Sequence, residues 1–148
     1  MKMHFIASET ETAQAALAEL SALYGQNPWR EAEVVVALGG DGLMLSVMHQ
    51  NKGLPIYGMN RGTVGFMMND YVATDLPAAI AAAEETAINP LAMTAMTADG
   101  REYAALAINE VSLLRAGPQA AKLRISVNDR VRMEELICDG ALLSTPAR

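Results

Sequence analysis

The stretch Val34-Val35-Val36-Ala37-Leu38-Gly39-Gly40-Asp41-Gly42 decides the fold. Its first five residues are apolar and three are β-branched, the pattern of a strand buried on both faces, as in a parallel sheet. The strand runs into two glycines, an acid and another glycine. Leu43-Met44-Leu45-Ser46-Val47-Met48 then resumes without a turn residue, as a helix would. A glycine turn between strand and helix lets backbone N–H groups approach a phosphate near the positive end of a helix. Asp41 would repel that anion, which points instead to a role in taking the proton from a hydroxyl that attacks phosphorus. The same residues also suit a plainer reading, in which Asp41 caps the helix and the glycines only make the turn.

Upstream, His4 to Ala7 reads as a strand, and Ser8 with Glu11 has capping-box spacing. Ala13, Ala16, Leu17 and Leu20 recur at helical spacing, giving β–α–β with Asn27-Pro28-Trp29 as the break before the second strand. Downstream, Leu54 to Asn60 is a third strand that runs into the loop Arg61-Gly62-Thr63-Val64-Gly65-Phe66. Ligands of open parallel sheets sit beyond the carboxyl ends of the strands, so this loop and the Gly39–Gly42 turn can line one crevice. Arg61 either meets a phosphate there or is a solvated surface arginine. Asp75 to Glu85 reads as an Ala-rich helix with Pro77 in its first turn. His4 and His49 have no partner motif and read as ordinary strand and helix residues.

After Asn89-Pro90 the pattern changes. Leu91–Thr97 and Arg101–Ile108 flank Ala98-Asp99-Gly100, and Lys122–Val127 and Val131–Ile137 flank Asn128-Asp129-Arg130, two hairpin signatures. The expected fold class is therefore an α/β domain over residues 1–87, with a Rossmann-like three-layer parallel sheet, followed over 88–148 by an antiparallel β domain of sandwich-like type. Asn109-Glu110 interrupts the apolar runs Tyr103–Ile108 and Val111–Leu114, where an amide and a charge need partners or a bulge. Asp139-Gly140 precedes Ala141-Leu142-Leu143 and reads equally as a turn.

The 148 residues suffice for one domain or parts of two, and half are hydrophobic. A net charge of −6 disfavours a nucleic-acid-gripping surface. Cys138 is the only cysteine, which excludes an internal disulfide and suits a reducing cytoplasm. No signal peptide, membrane-length apolar run or metal-ligand cluster is evident, so a cytoplasmic location is expected.

Four motifs agree in order and separation with one family. The chain resembles the N-terminal part of bacterial NAD kinases through Gly39-Gly40-Asp41-Gly42, Gly58-Met59-Asn60-Arg61-Gly62-Thr63-Val64-Gly65-Phe66, Ile108-Asn109-Glu110-Val111 and Asp139-Gly140-Ala141-Leu142-Leu143-Ser144-Thr145-Pro146. The first motif is shared with diacylglycerol, sphingosine and phosphofructo-kinases; the four together are specific. The resemblance implies transfer of the γ-phosphoryl group of ATP, or of polyphosphate, to the adenosine-ribose 2′-hydroxyl of NAD. It implies Asp41 as general base, with Gly42 giving the dinucleotide room. Asn109 and Glu110 would hydrogen-bond the adenosine, and Asp139 would contact the other half of NAD, in many members from a neighbouring subunit. It further implies a dimer or tetramer and a divalent cation such as Mg²⁺ carried largely on the phosphates. The chain departs from the family at Leu43, where many members have Thr, and after Pro146, where the family's Gly-Ser-Thr-Ala-Tyr gives way to Ala147-Arg148. The expectation is a shortened kinase with incomplete β structure, prone to association and making little NADP. The rivals are a diacylglycerol-type lipid kinase and a non-catalytic nucleotide-binding remnant.

Overall fold

The computed structural model describes residues 1–51, 53–63 and 65–146. It divides into two compact units, Met1–Thr86 and Ala87–Arg148.

In the first unit, β1 (Met3–Ala7), β2 (Val34–Gly39) and β3 (Ile56–Asn60) form a parallel sheet with β2 in the centre. All six residues of β2 are buried, as an unbroken apolar strand requires. Side chains of a strand alternate between faces. Val34, Val36 and Leu38 pack with Met3, Phe5, Met59, Ala16 and Leu20 of α1 (Glu11–Tyr24), and Leu76 of α3 (Leu76–Ala82). Val35 and Ala37 pack with Val47 of α2 (Asp41–Gln50), partly covered by Leu43, Leu54 and Trp29. Each fully buried Val or Leu contributes about 1.5–3 kcal/mol. His4 is a satisfied strand residue: its Nδ1 lies 2.8 Å from the Asn27 carbonyl oxygen and its ring 5.2 Å from Trp29.

Two local expectations need correction. The N-cap of α1 is Thr10, whose Oγ1 accepts the Ala13 N–H at 3.4 Å. Ser8 lies outside the cap and is tied to the sheet instead, its N–H donating to Leu38 O at 3.0 Å. The helix expected over Asp75–Glu85 spans only Leu76–Ala82, with Pro77 in its first turn and Asp75 outside it in the left-handed region at φ 57°. Residues 81–86 are exposed, so no burial extends that helix beyond its intrinsic preference.

The second unit is antiparallel throughout. β4 (Leu91–Met96) pairs with β5 (Glu102–Ala107), β6 (Glu110–Leu114) with β9 (Gly140–Ser144), and β7 (Ala121–Val127) with β8 (Arg130–Cys138). Asn128 and Asp129 turn the last hairpin, both at positive φ, 51° and 59°, as a two-residue turn matched to strand twist demands. In β7, Leu123 and Ile125 are half-buried while Lys122, Arg124 and Ser126 are exposed. Among the described residues no helix is long and apolar enough to cross a membrane.

Candidate functional site

Asp41 is not the cap of α2. Gly40 holds that position, and Asp41 is the first helical residue, where a carboxylate is favoured by the helix dipole. Its oxygens reach across to the second loop: Oδ2 accepts the Phe66 N–H at 2.9 Å and Oδ1 the Met67 N–H at 3.0 Å. A carboxylate offers about four acceptor positions, so two remain for a ligand hydroxyl. At the other end of the same loop the Arg61 N–H donates to Gly39 O at 2.8 Å. The turn after β2 and the loop after β3 therefore do form one rim. Gly65 is required for this fit, because a Cβ there would lie 2.6 Å from Met68 Cγ. Gly42 is exposed and a Cβ on it would meet nothing, so packing within the chain does not demand glycine there. Val64 of the motif lies outside the described residues.

Beside this rim the structure assembles a group that sequence reasoning missed. The Arg61 guanidinium carbon lies 3.3 Å from the centroid of the Tyr71 ring, a cation–π stack, and is not the solvated arginine of the alternative reading. The Tyr71 hydroxyl donates to Glu19 Oε2 at 2.6 Å, and burial together with that bond pushes the phenol above its usual titration range. Thr12 Oγ1 donates to Arg61 O at 3.2 Å, and the Gly62 N–H to Asn60 Oδ1 at 2.9 Å. Thr12, Asn60, Arg61, Gly62, Asp70 and Tyr71 line an open hollow of about 300 Å³. No local pattern flags Tyr71 or Glu19, because the two are about fifty residues apart in sequence.

The remaining candidates belong to the second unit. Asn109 directly precedes β6 and is not a bulge; its carbonyl accepts the Thr145 N–H at 2.7 Å, and Thr145 Oγ1 donates to Ile108 O at 2.6 Å. The Asn109 Oδ1 is buried and has no hydrogen-bond partner among the described residues, leaving an acceptor that a ligand N–H would satisfy. Glu110 is half-buried opposite Ser144. Asp139 sits at the other end of the same ladder, beyond the Leu114–Gly140 pair, five residues or about 17 Å along the strand from Ser144, the partner of Glu110. Its carboxylate is 75% exposed and accepts Arg115 Nε at 2.6 Å. Gly140 is required there, because a Cβ would run into the Leu113 carbonyl. The structure thus joins Asn109 with Glu110 and sets Asp139 apart from both. Among the described residues no three His, Cys, Asp or Glu side chains cluster as metal ligands.

The ATP-NAD kinase N-terminal domain family matches residues 3–87. A Cereibacter sphaeroides protein named NAD kinase is 59% identical over 148 residues, 99% of this chain and 58% of the relative. A Mesorhizobium japonicum NAD kinase is 53% identical over 97% of this chain and 56% of its own length. For a Brucella suis NAD kinase the values are 48%, 99% and 58%. The chain thus spans a little over half the length of the curated relatives it matches. By the extent of these matches, the chain belongs to the NAD kinase family.

Proposed function

We propose that this chain carries the phosphoryl-transfer centre of an NAD kinase, with NAD as acceptor and ATP, or polyphosphate, as donor. The observation that carries the reading is the Asp41 carboxylate, fixed by two backbone N–H groups at the carboxyl end of the central parallel strand, in a glycine turn. Asp41 accepts the proton of the adenosine-ribose 2′-hydroxyl as its oxygen bonds to the γ-phosphorus, and the bond to the leaving phosphate breaks. Positioning and charge stabilisation do most of the work in such transfers. Gly42 leaves room beside the carboxylate, the Asn109 amide and Glu110 hold the adenosine, and Asp139 contacts the rest of the dinucleotide. With Asp139 about 17 Å along the ladder from Glu110, an assembly of two or four copies supplies these contacts from different subunits. A divalent ion such as Mg²⁺ would be carried largely on the donor phosphates, as the resemblance implies. The first unit is read as a Rossmann-like nucleotide-binding domain, residues 1–87. The second, 88–148, is read as the opening part of a β-sandwich-like NAD-binding domain, in a cytoplasmic protein.

The test joins residues 1–146 to the C-terminal part of the Cereibacter sphaeroides relative and measures NADP formation from NAD and ATP. The fusion is expected to make NADP. Its Asp41→Asn form should be slower by about 10²–10⁴-fold, the usual cost of a general base. Glu110→Gln should weaken NAD binding by about tenfold, the worth of one hydrogen bond to a charged group. A folded fusion that binds NAD without turnover would establish a binding module, and one that phosphorylates diacylglycerol instead a lipid kinase. The binding module has one observation behind it, since the Asp41 bonds to Phe66 and Met67 would serve a purely structural latch equally well.

A further inference from the structure

The segment that leaves β3 at Asn60 is closed into a loop on its return. The Asn60 N–H donates to Asn69 O at 2.8 Å and the Asn69 N–H to Gly58 O at 2.9 Å, so the far stem lies beside β3. Next to this closure one residue from each stem meets the other, the Arg61 guanidinium lying over the Tyr71 ring. The Tyr71 hydroxyl is anchored on Glu19 of α1, and Tyr71 packs against the core of the first unit. Met68 fills the loop from within, since a Cβ on Gly58 would lie 2.5 Å from its Sδ and one on Gly65 2.6 Å from its Cγ. At the far point of the loop, consecutive N–H groups of Phe66 and Met67 meet the two oxygens of Asp41. Tyr71 is not needed to hold the returning chain against α1. Tyr24 does that, its hydroxyl donating to Ala73 O at 2.8 Å and accepting the Leu76 N–H at 3.4 Å. What Tyr71 adds is a hold on the Arg61 side chain.

We propose that Glu19, Tyr71 and Arg61 form a clasp that positions the Asp41 carboxylate, acting through the loop that carries Phe66 and Met67. A carboxylate on an aspartate turns about two side-chain bonds, and two hydrogen bonds from neighbouring amides fix both torsions only while the amides themselves hold still. The clasp joins the stems of the loop to each other and to a helix packed on the sheet, so the two amides keep their place relative to β2. A base displaced by about 1 Å from its hydroxyl loses about 10²-fold in rate, so this hold reaches the chemistry without touching substrate. Tyr71 and Glu19 are thus positioning residues. The consequence for catalysis rests on the reading of Asp41 as general base, whereas the coupling from Tyr71 to Asp41 is a property of the first unit by itself.

Amide exchange by NMR on the 148-residue chain tests the coupling, with the β2 amides reporting the fold. Tyr71→Leu removes the stack and the Glu19 bond together. It should speed exchange at Phe66 and Met67 by about 2- to 30-fold, the worth of one cation–π contact, while β2 stays protected. Tyr71→Phe keeps the ring and should have a smaller effect. Glu19→Ala should resemble Tyr71→Phe, and Glu19→Gln, which keeps an acceptor for the hydroxyl, should restore the parent rate. In an Asp41→Asn background the two amides have already lost their anchor, so Tyr71→Leu should add little there, a non-additivity that a purely structural tyrosine would not produce. In the fusion with the Cereibacter sphaeroides C-terminal part, Tyr71→Leu should lower kcat by about tenfold and leave the KM for NAD unchanged, because placement of the base and not binding is lost. Should Tyr71→Leu not fold, Tyr71→Phe and the two Glu19 variants decide in its place. Unmoved exchange at Phe66 and Met67 in folded variants, or faster exchange with kcat unmoved in an active fusion, would overturn the proposal. Coupled exchange in a chain whose fusion makes no NADP would uphold the clasp and overturn only the kinase reading.

Discussion

The two units use the same building material differently. β2 buries every side chain between α1 and α2, whereas in the second unit Leu113, Leu114, Ile137 and Leu143 stay 61–81% exposed on well-formed ladders. Backbone pairing in β4–β9 is regular, yet of the residues in that unit only Ile108 and Thr145 are buried among those described. Pairing satisfies N–H and C=O groups, but it contributes little net stability, and two-stranded ribbons without a covered face are marginal. The comparison separates what holds a strand together from what holds a domain together. The first unit has both; the second shows the ladders largely by themselves.

The sharpest way to break this contrast is one chemical change made twice. Leu38→Lys puts an ammonium into a site with no solvent exposure, at a cost of several kcal/mol, enough to unfold a marginally stable unit. Leu114→Lys, at an 81% exposed position, should change stability by no more than about 0.5 kcal/mol. Amide exchange by NMR checks both: the first should abolish slow exchange in β1–β3, and the second should leave it unchanged while reducing self-association. Equal effects would erase the distinction between the units.

Asp41→Asn gives a smaller, local effect. The amide must turn an NH₂ toward a backbone N–H of Phe66 or Met67, so about 1–3 kcal/mol of loop anchoring is lost. Exchange at Phe66 and Met67 should rise sharply while β2 stays protected. If it does not, the carboxylate is not the anchor.

The smallest effect is in pH dependence. The Tyr71 phenol titrates higher in the folded state, chiefly through burial and then through Glu19. A folded pKa above the unfolded value of about 10 means that the native state holds its proton longer, so the stabilisation is complete below pH 10 and is lost as pH rises through the folded pKa. Alkaline unfolding of the first unit should therefore show a step near and above pH 10 that Tyr71→Phe removes, with no matching step in β7–β8.

What the sequence discloses follows the same division. A strand buried on both faces has to be written as an unbroken apolar run, so β2 and its glycine turn are legible, and with them the crossing to α2. Asn128-Asp129 is legible because few residues adopt positive φ twice in succession. The Thr10 cap is hidden in Ser8-Glu9-Thr10-Glu11 because Ser8 and Thr10 are equally able acceptors two residues apart, and tertiary contact of Ser8 with Leu38 decides between them. The end of α3 is hidden because an alanine run has helical preference without a face to bury. In the site, Asp41 stands out as an acid among glycines. Its grip on Phe66 and Met67, and the Tyr71 support under Arg61, arise from contacts 25 and ten residues apart in sequence that no local pattern encodes. The pairing of Asn109 with Thr145 is likewise invisible until β6 and β9 meet.

The two-ended attachment of the Arg61–Met67 loop bears on which insertions and deletions the family can accept. One extra residue between Gly62 and Thr63 lengthens a span whose anchors, at Gly39 and at Asp41, stay where they are. One extra residue between Asp41 and Leu43 instead rotates the carboxylate by about 100° around the α2 axis relative to the buried Met44 and Val47. Among members of the family, length variation should therefore gather in the loop, and the number of residues from Gly39 to Met44 should stay constant even where their identities drift.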